Sequence, residues 1–165
     1  GVQSAGAAIQ SIRLTPKENW HLTVSFLGYQ DNDSVAKVAI VLRDVAERTA
    51  ALEVMFSGVE YGPKRSAPRM VWAVTDDATS RRIGKIKEAL EDAWEEAEVR
   101  FVRERRAFHG HLTLARFSAH QQTFPKIETP IALSATVSTL DLMESVREGR
   151  GVRYVTLEKA RCMIS

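Results

Sequence analysis

The stretch Phe108-His109-Gly110-His111-Leu112-Thr113-Leu114-Ala115-Arg116 contains a tripeptide that the chain uses twice. The same His-Leu-Thr occurs ninety residues earlier, within Trp20-His21-Leu22-Thr23-Val24-Ser25-Phe26-Leu27-Gly28. The chain has four histidines, and two of them open this tripeptide. Because coincidence would have to supply the same tripeptide twice, we interpret the rest of the sequence as a scaffold that brings the two copies face to face.

Each copy lies in a stretch whose alternation of residue types predicts a β-strand. In a strand, residues i and i+2 point to the same face, so His21 projects beside Thr23 and His111 beside Thr113. The leucine between them points to the other face, where it can pack under helices. Each tripeptide therefore offers an imidazole and a hydroxyl side by side.

Two such pairs across a cleft fit in-line attack on a phosphodiester. One imidazole can remove a proton while the other donates one, because the pKa of histidine lies near neutrality. The hydroxyls of Thr23 and Thr113 can donate hydrogen bonds to phosphate oxygens that gain charge in the transition state. The pattern therefore predicts His21 and His111 as catalytic residues and the two threonines as phosphate-binding residues.

Other uses of these residues are less favoured. A metal site built on two histidines needs further carboxylate or cysteine ligands, whereas the neighbouring positions carry Thr and Ser. We therefore expect no metal and no cofactor. Ser25 lacks the surroundings of a nucleophile elbow. The other two histidines, His109 and His120, are interpreted as ordinary side chains.

Periodicity predicts two helices and several strands in one domain over residues 1–165. The first helix follows the start signal Asp31-Asn32-Asp33-Ser34 and runs to about residue 52; the second is capped by Thr79 or Ser80. Strands are predicted over residues 12–14, 20–27, 54–59, 70–75, 99–102, 111–117, 135–143 and 152–160, the last two forming a hairpin. Short turns between strands favour an α+β fold with antiparallel sheets over a doubly wound parallel sheet.

Composition is that of an ordinary globular protein, with 44% apolar and 27% charged residues. No apolar run is long enough to span a membrane, no signal peptide is recognisable, and the single cysteine, Cys162, favours a reducing, cytoplasmic setting. The net charge is +2, but basic residues cluster. The clusters are Lys64, Arg65 and Arg69; Arg100, Arg103, Arg105 and Arg106; and Arg147, Arg150 and Arg153. They are either solvated loops or an electropositive rim for a phosphate-bearing ligand.

The surroundings of the two tripeptides resemble the 2H phosphoesterases, and among them the RNA 2′,3′-cyclic phosphodiesterases, historically called 2′-5′ RNA ligases. That family is named for two H-x-T/S motifs. The resemblance extends from about Ile12 to the C-terminus and is carried by four blocks. These are Pro16 to Gly28, Pro68-Arg69-Met70-Val71-Trp72, His111-Leu112-Thr113-Leu114-Ala115-Arg116 and Leu140-Asp141-Leu142-Met143-Glu144-Ser145.

The resemblance implies a bilobal fold of two antiparallel sheets, with helices outside and the two H-x-T motifs in a central cleft. It also implies a metal-independent opening of terminal 2′,3′-cyclic phosphate on RNA to a 2′-phosphate, with His111 as base and His21 as acid. Phe26 and Arg116 would stack on the terminal base. Each lies five positions after its histidine, so a regular strand would turn it to the opposite face unless the strand ends or bulges first.

Two positions depart from the family pattern. The family begins with an apolar strand ahead of the first block, whereas this sequence opens at Gly1-Val2-Gln3, so we expect that strand to be absent. Gly110 stands where the family often has proline, and we expect it to loosen the approach to the second motif.

The expected partners are RNA ends or nucleotides that carry a 2′,3′-cyclic phosphate, bound by a monomer away from membranes. Two alternatives remain open at the level of sequence. The same site can run in reverse as a 2′-5′ RNA ligase, or the chain can be a non-catalytic nucleotide-binding module of the same fold. Retention of both histidines and both threonines favours the enzyme.

Overall fold

The computed structural model describes residues 12–64, 67–117, 127, 130–149 and 151–163. These residues form two α-helices and seven β-strands, with one turn of 3₁₀-helix at Lys17–Asn19. In chain order they are β1 (Ile12–Leu14), α1 (Asn32–Ala46), β2 (Leu52–Gly62), β3 (Met70–Thr75), α2 (Asp77–Glu96), β4 (His111–Phe117), β5 (Pro130–Val137), β6 (Thr139–Glu148) and β7 (Gly151–Arg161).

The strands form two antiparallel sheets. The larger has the order β1-β4-β3-β2-β5, and the smaller is the hairpin β6-β7. Every pairing between these named strands of the described residues is antiparallel. The predicted α+β class with two antiparallel sheets is therefore confirmed, as is the hairpin between the last two strands.

The strand predicted over residues 135–143 is two strands in different sheets. Val137 ends β5 opposite Leu52, whereas Thr139 begins β6 opposite Arg161. Between them the backbone carbonyl of Ser138 accepts a hydrogen bond from the amide of Cys162 at 2.9 Å. The chain changes sheets within one residue. The alternation of residue types continues across this change, and for that reason it predicted a single strand.

The two helices pack against each other, and α1 also packs on the hairpin. Residues of both helices, of β7 and of the chain that follows α2 share one core cluster, which includes Val38, Leu42, Val45, Leu90, Trp94, Val99 and Ala160. The α1 members of this cluster recur at helical spacing and form the buried face of that helix. The helix ends at Ala46, before the predicted residue 52, because the chain turns there and enters β2.

Helix α2 begins earlier than predicted. Its N-cap is Asp76, whose Oδ1 accepts a hydrogen bond from the amide of Thr79 at 2.7 Å. The two predicted caps, Thr79 and Ser80, are buried in the first turn, where Ser80 Oγ lies 2.8 Å from Thr75 Oγ1. Ser80 thus ties the helix to the end of β3, and Thr79 Oγ1 accepts a hydrogen bond from the amide of Met55 in β2 at 3.2 Å, while an aspartate caps the helix. The strand predicted over residues 99–102 is irregular chain.

The first His-Leu-Thr tripeptide does not lie in a strand, contrary to the prediction for residues 20–27. Within the described residues, its one strand-type pairing is an isolated antiparallel bridge between Leu22 and Leu112. Leu112 also pairs with Ala73 of β3, so Leu22 lies on the β4 edge that β1 shares. Because β4 begins at His111, the chain beyond Leu22 finds no further β4 backbone to pair with.

Some predictions fall outside the described residues. They concern the opening Gly1-Val2-Gln3, His120, Arg65 and Arg150. Neither described helix combines the length and the apolar composition that crossing a bilayer requires.

Candidate active site

The two tripeptides meet through their leucines. Leu22 and Leu112 face each other in an antiparallel bridge. In an antiparallel pair, the residue before one partner lies opposite the residue after the other. Each histidine therefore lies opposite the threonine of the other tripeptide, on the side away from the leucines.

This register places His21 opposite Thr113 and Thr23 opposite His111. All four residues are half-buried. The structure thus brings together the four side chains that the sequence predicts as catalytic and phosphate-binding. The arrangement has approximate two-fold symmetry, because each half contributes the same tripeptide in the opposite direction.

The same symmetry extends to the way each imidazole is held. His21 Nδ1 lies 2.7 Å from the backbone carbonyl oxygen of Asn19, and His111 Nδ1 lies 3.0 Å from that of His109. A carbonyl oxygen only accepts, so each Nδ1 carries a proton and donates it. In the neutral ring Nε2 is then the atom with a free lone pair, and it is the atom each histidine offers for chemistry.

Aromatic rings from two sheets fix the two imidazoles. Trp72 of β3 stacks on His111 with ring centroids 3.9 Å apart, and the edge contact of Tyr154 with His21 has centroids 4.3 Å apart. Tyr154 belongs to β7, so the site joins the large sheet to the hairpin. Gly62 makes room for the Trp72 ring, because a Cβ there would lie 2.4 Å from it.

The pKa of His111 lies below its ordinary value of 6.5. The largest cause is burial, which disfavours the charged ring. The nearby charges of His109 and His21 lower the pKa further, whereas the hydrogen bond to the His109 carbonyl raises it.

A β-bulge interrupts β4 directly after the second motif. Trp72 pairs with Thr113, but the preceding residue of β3, Val71, pairs with Ala115. Leu114 is the extra residue on β4. A bulge of this kind reverses the alternation of faces along the strand that carries it.

The bulge returns Arg116 to the face of the histidine. Arg116 pairs with Met70, whose sulfur lies 3.9 Å from Thr113 Oγ1. On the other face Phe117 contacts Tyr61, with ring centroids 5.9 Å apart. A regular strand would have turned Arg116 to the face opposite His111. The bulge removes this conflict, and Arg116 is exposed on the same face as the histidine.

Phe26 takes a different position. It lies beyond the bridge in chain without strand pairing, and its side chain is 77% exposed. It lines a groove with residues 27–28 and 102–106. Because Phe26 does not lie in a strand, the alternation of strand faces does not fix its direction. Its part in base binding stays a prediction.

Gly110 does not loosen the approach to the second motif. It is buried, its amide donates to Ser80 Oγ at 3.2 Å, and its carbonyl accepts from the amide of Thr75 at 2.9 Å. A Cβ at this position would lie 2.3 Å from Thr75 Oγ1. Glycine is used here because the backbone approaches β3 closely.

A buried carboxylate holds the first motif. Glu91 of α2 is 1% exposed, and its Oε1 accepts a hydrogen bond from Ser25 Oγ at 2.8 Å. Lys87 Nζ lies 2.8 Å from the same carboxylate, and Arg103 Nε lies 3.4 Å from it. A buried charge of this kind is stable only when it is paired and hydrogen-bonded. Helix α2 thus anchors the chain four residues after His21.

A family model described as the 2′-5′ RNA ligase superfamily matches residues 3–149 of this chain. The match covers far more than half of the 165 residues. The chain belongs to this superfamily.

Three curated relatives are each named RNA 2′,3′-cyclic phosphodiesterase. The Thermus thermophilus relative is 26% identical over 145 residues, 87% of this chain and 72% of the relative. The Aeropyrum pernix relative is 23% identical over 154 residues, 90% of this chain and 85% of the relative. The Geobacillus stearothermophilus relative is 28% identical over 102 residues, 61% of this chain, and the match spans 31% of that relative's length.

Solved structures agree with the superfamily fold. The crystal structure of a Thermus thermophilus protein superposes with a TM-score of 0.74 at 23% identity, covering 94% of this chain and 85% of that one. E. coli LigT complexed with 3′-AMP gives a TM-score of 0.69 at 21% identity, covering 91% and 80%. At these identities the likeness establishes the fold.

In this superfamily member the predicted electropositive rim is partly neutralised. Arg103 pairs with Asp92 at 2.6 Å and with Glu95 at 3.1 Å, and Arg106 pairs with Glu104. Such pairs reduce the charge available to a ligand. Within the described part of the chain, no group of three or more His, Cys, Asp or Glu side chains is arranged to hold a metal ion.

Sequence reasoning missed Tyr154, Glu91 and the role of Trp72. Trp72 lies in the resembling block over residues 68–72, which was a usable signal for proximity to the site. Tyr154 and Glu91 reach the first motif from distant elements, and no local pattern marks them.

Proposed function

We propose that this protein is a metal-independent RNA 2′,3′-cyclic phosphodiesterase, which opens a terminal 2′,3′-cyclic phosphate to a 2′-phosphate. The observation that carries the proposal is the crosswise pairing of two His-Thr sets whose imidazoles both offer Nε2. The names of the relatives support it, as does the complex of E. coli LigT with 3′-AMP.

In the proposed reaction His111 is the base. Its lowered pKa keeps the ring neutral at neutral pH, so Nε2 can accept a proton from the attacking water. The water oxygen bonds to phosphorus as the bond from phosphorus to the 3′ oxygen breaks. His21, protonated at Nε2, gives its proton to that departing oxygen. The phosphate stays on the 2′ oxygen, and the two histidines exchange protonation states.

Thr23 and Thr113 are proposed to donate hydrogen bonds to the non-bridging phosphate oxygens. Their crosswise positions beside the two imidazoles suit a phosphate held between the motifs. Arg116 is proposed to contact the terminal nucleotide from the same face, and Phe26 to contact its base. We also propose that the protein acts as a cytoplasmic monomer.

The test is to incubate the protein in EDTA with an oligoribonucleotide that ends in a 2′,3′-cyclic phosphate and to identify the product end. Wild type should form a 2′-phosphate, and His111→Ala should not. His109→Ala is the matched control, because it removes a histidine side chain but keeps the carbonyl that holds His111; it should retain activity.

Other outcomes would contradict the proposal. A 3′-phosphate product would mean that the 2′ oxygen, and not the 3′ oxygen, is the leaving group. Binding of 3′-AMP without turnover would favour a nucleotide-binding module. Joining of RNA ends in preference to hydrolysis would assign the reverse reaction, the formation of 2′-5′ linkages.

A further inference from the structure

A groove of about 800 Å³ opens along the segment that follows the first motif. One wall is Phe26 with the two residues that follow it, and the other is the segment 102–106. Each wall lies close to a motif along the chain, since Phe26 follows His21 by five residues and Arg106 precedes His111 by five. Five extended residues span at most about 18 Å, so Phe26 and Arg106 each lie within that distance of the nearer histidine along the chain.

The walls expose apolar surface and positive charge together. Phe26 is 77% exposed and Val102 is 87% exposed. Within the described part of the chain the guanidinium of Arg105 has no ion-pair partner, and the side chain of Arg106 is 86% exposed although it pairs with Glu104. Exposed aromatic and apolar side chains beside arginines are the features with which proteins hold single-stranded nucleic acid.

Both walls are fixed to helix α2 by the same buried carboxylate. Glu91 accepts from Ser25, next to Phe26, and pairs with Arg103 in the opposite wall. Lys87, which also pairs with Glu91, donates to the backbone carbonyl of Glu104 at 3.0 Å. The groove is therefore held in shape without a ligand, which lowers the entropy cost of binding one.

We infer that this groove binds the RNA strand that precedes the terminal nucleotide. The inference rests on the proposed function, because it assigns the strand attached to the phosphate held between the motifs. Arg105 and Arg106 contact the phosphate backbone, and Val102 contacts a base or a ribose.

The test compares kcat/KM on an oligoribonucleotide that ends in a 2′,3′-cyclic phosphate with kcat/KM on a mononucleoside 2′,3′-cyclic phosphate. Wild type should prefer the oligoribonucleotide, and the preference should weaken as salt rises. Arg105→Glu should reduce the ratio about five-fold or more, in line with the loss of one exposed charge contact. Val102→Asp, also at an exposed position, should reduce it in the same direction. Arg81→Glu, an exposed arginine of α2 outside the groove, is the matched control and should leave the ratio unchanged.

Equal kcat/KM on the two substrates, or equal effects of Arg105→Glu and Arg81→Glu, would overturn the inference while leaving the proposed function intact. If wild type turns over neither substrate, the proposed function fails. The groove is then judged from fluorescence anisotropy with a labelled oligoribonucleotide. Weaker binding by Arg105→Glu than by Arg81→Glu would support the groove, and equal binding would overturn it.

Discussion

The two His-Leu-Thr tripeptides are identical in sequence but are supported in different ways. The second lies on β4, between β1 and β3, with Trp72 stacked on its imidazole. The first lies outside any strand, joined to β4 by the single bridge at Leu22. Side chains hold it instead: Tyr154 against the ring of His21, and Glu91 against Ser25.

This difference shows that equivalent chemistry does not require equivalent backbone. Both imidazoles have Nδ1 bound to the carbonyl two residues before them, whichever support they use. The second motif is positioned mainly by backbone hydrogen bonds, whereas the first depends on a few buried side chains. Substitutions of those side chains should therefore affect the first motif selectively.

The largest expected effect is the loss of either histidine. His21→Ala and His111→Ala should each lower kcat by roughly 100- to 10,000-fold, because each removes one partner of general acid–base catalysis. Single-turnover rates on a cyclic-phosphate oligoribonucleotide measure this. If His21→Ala stayed within a few-fold of wild type, the first motif would not be part of the site.

The second effect is on stability. Glu91→Gln removes a buried carboxylate and leaves Lys87 without its charge partner, so the free energy of unfolding should fall by about 3–5 kcal/mol. Urea unfolding followed by tryptophan fluorescence measures it. Glu88→Gln, an exposed position on the same helix, is the control and should change little. A loss below about 1 kcal/mol for Glu91→Gln would mean that the cluster does not hold the first motif.

A smaller effect is expected from Ser25→Ala. It deletes one hydrogen bond to Glu91 while the ion pairs of that carboxylate remain, so the free energy of unfolding should fall by about 1 kcal/mol. Because His21 lies four residues away, kcat should fall while KM changes little. Ser145→Ala, at an exposed position of β6, should alter neither quantity. A change in KM alone would indicate a binding role for Ser25.

The smallest effect is a pH dependence specific to the second motif. Folding lowers the pKa of His111, so the unfolded chain binds a proton more readily than the folded one below its ordinary value of 6.5. Stability should therefore fall as pH drops through 6.5 toward the lowered pKa. His111→Gln should lose less stability between about pH 7 and pH 5 than wild type does, as measured by urea unfolding at both values. Equal losses would show that burial does not perturb this imidazole.

Local alternation was sufficient to predict β3 and β4, since residues 70–75 and 111–117 are strands with the predicted bounds. It failed where the outcome depends on a distant partner. The alternation over residues 20–27 is not used as a strand because β4 starts at His111. The change of sheet at Ser138 could not be predicted either, because the alternation of residue types is the same in the strands before and after it.

The candidate site shows the same division. The repeated tripeptide identified the four residues that the structure brings together, because each histidine lies two positions from its threonine in the sequence. The face of Arg116 could not be predicted, since it depends on the bulge at Leu114. Tyr154 and Glu91 come from elements far along the chain, and only tertiary packing brings them to the first motif.

The central claim is that the two motifs act as one acid–base site, and a double-mutant cycle tests it most directly. Single-turnover rates are measured for wild type, His21→Ala, His111→Ala and the double variant. If the histidines act as a unit, the double variant should be within about ten-fold of the slower single variant. Losses that multiply, so that the double variant falls by the product of the two single effects, would contradict a shared site.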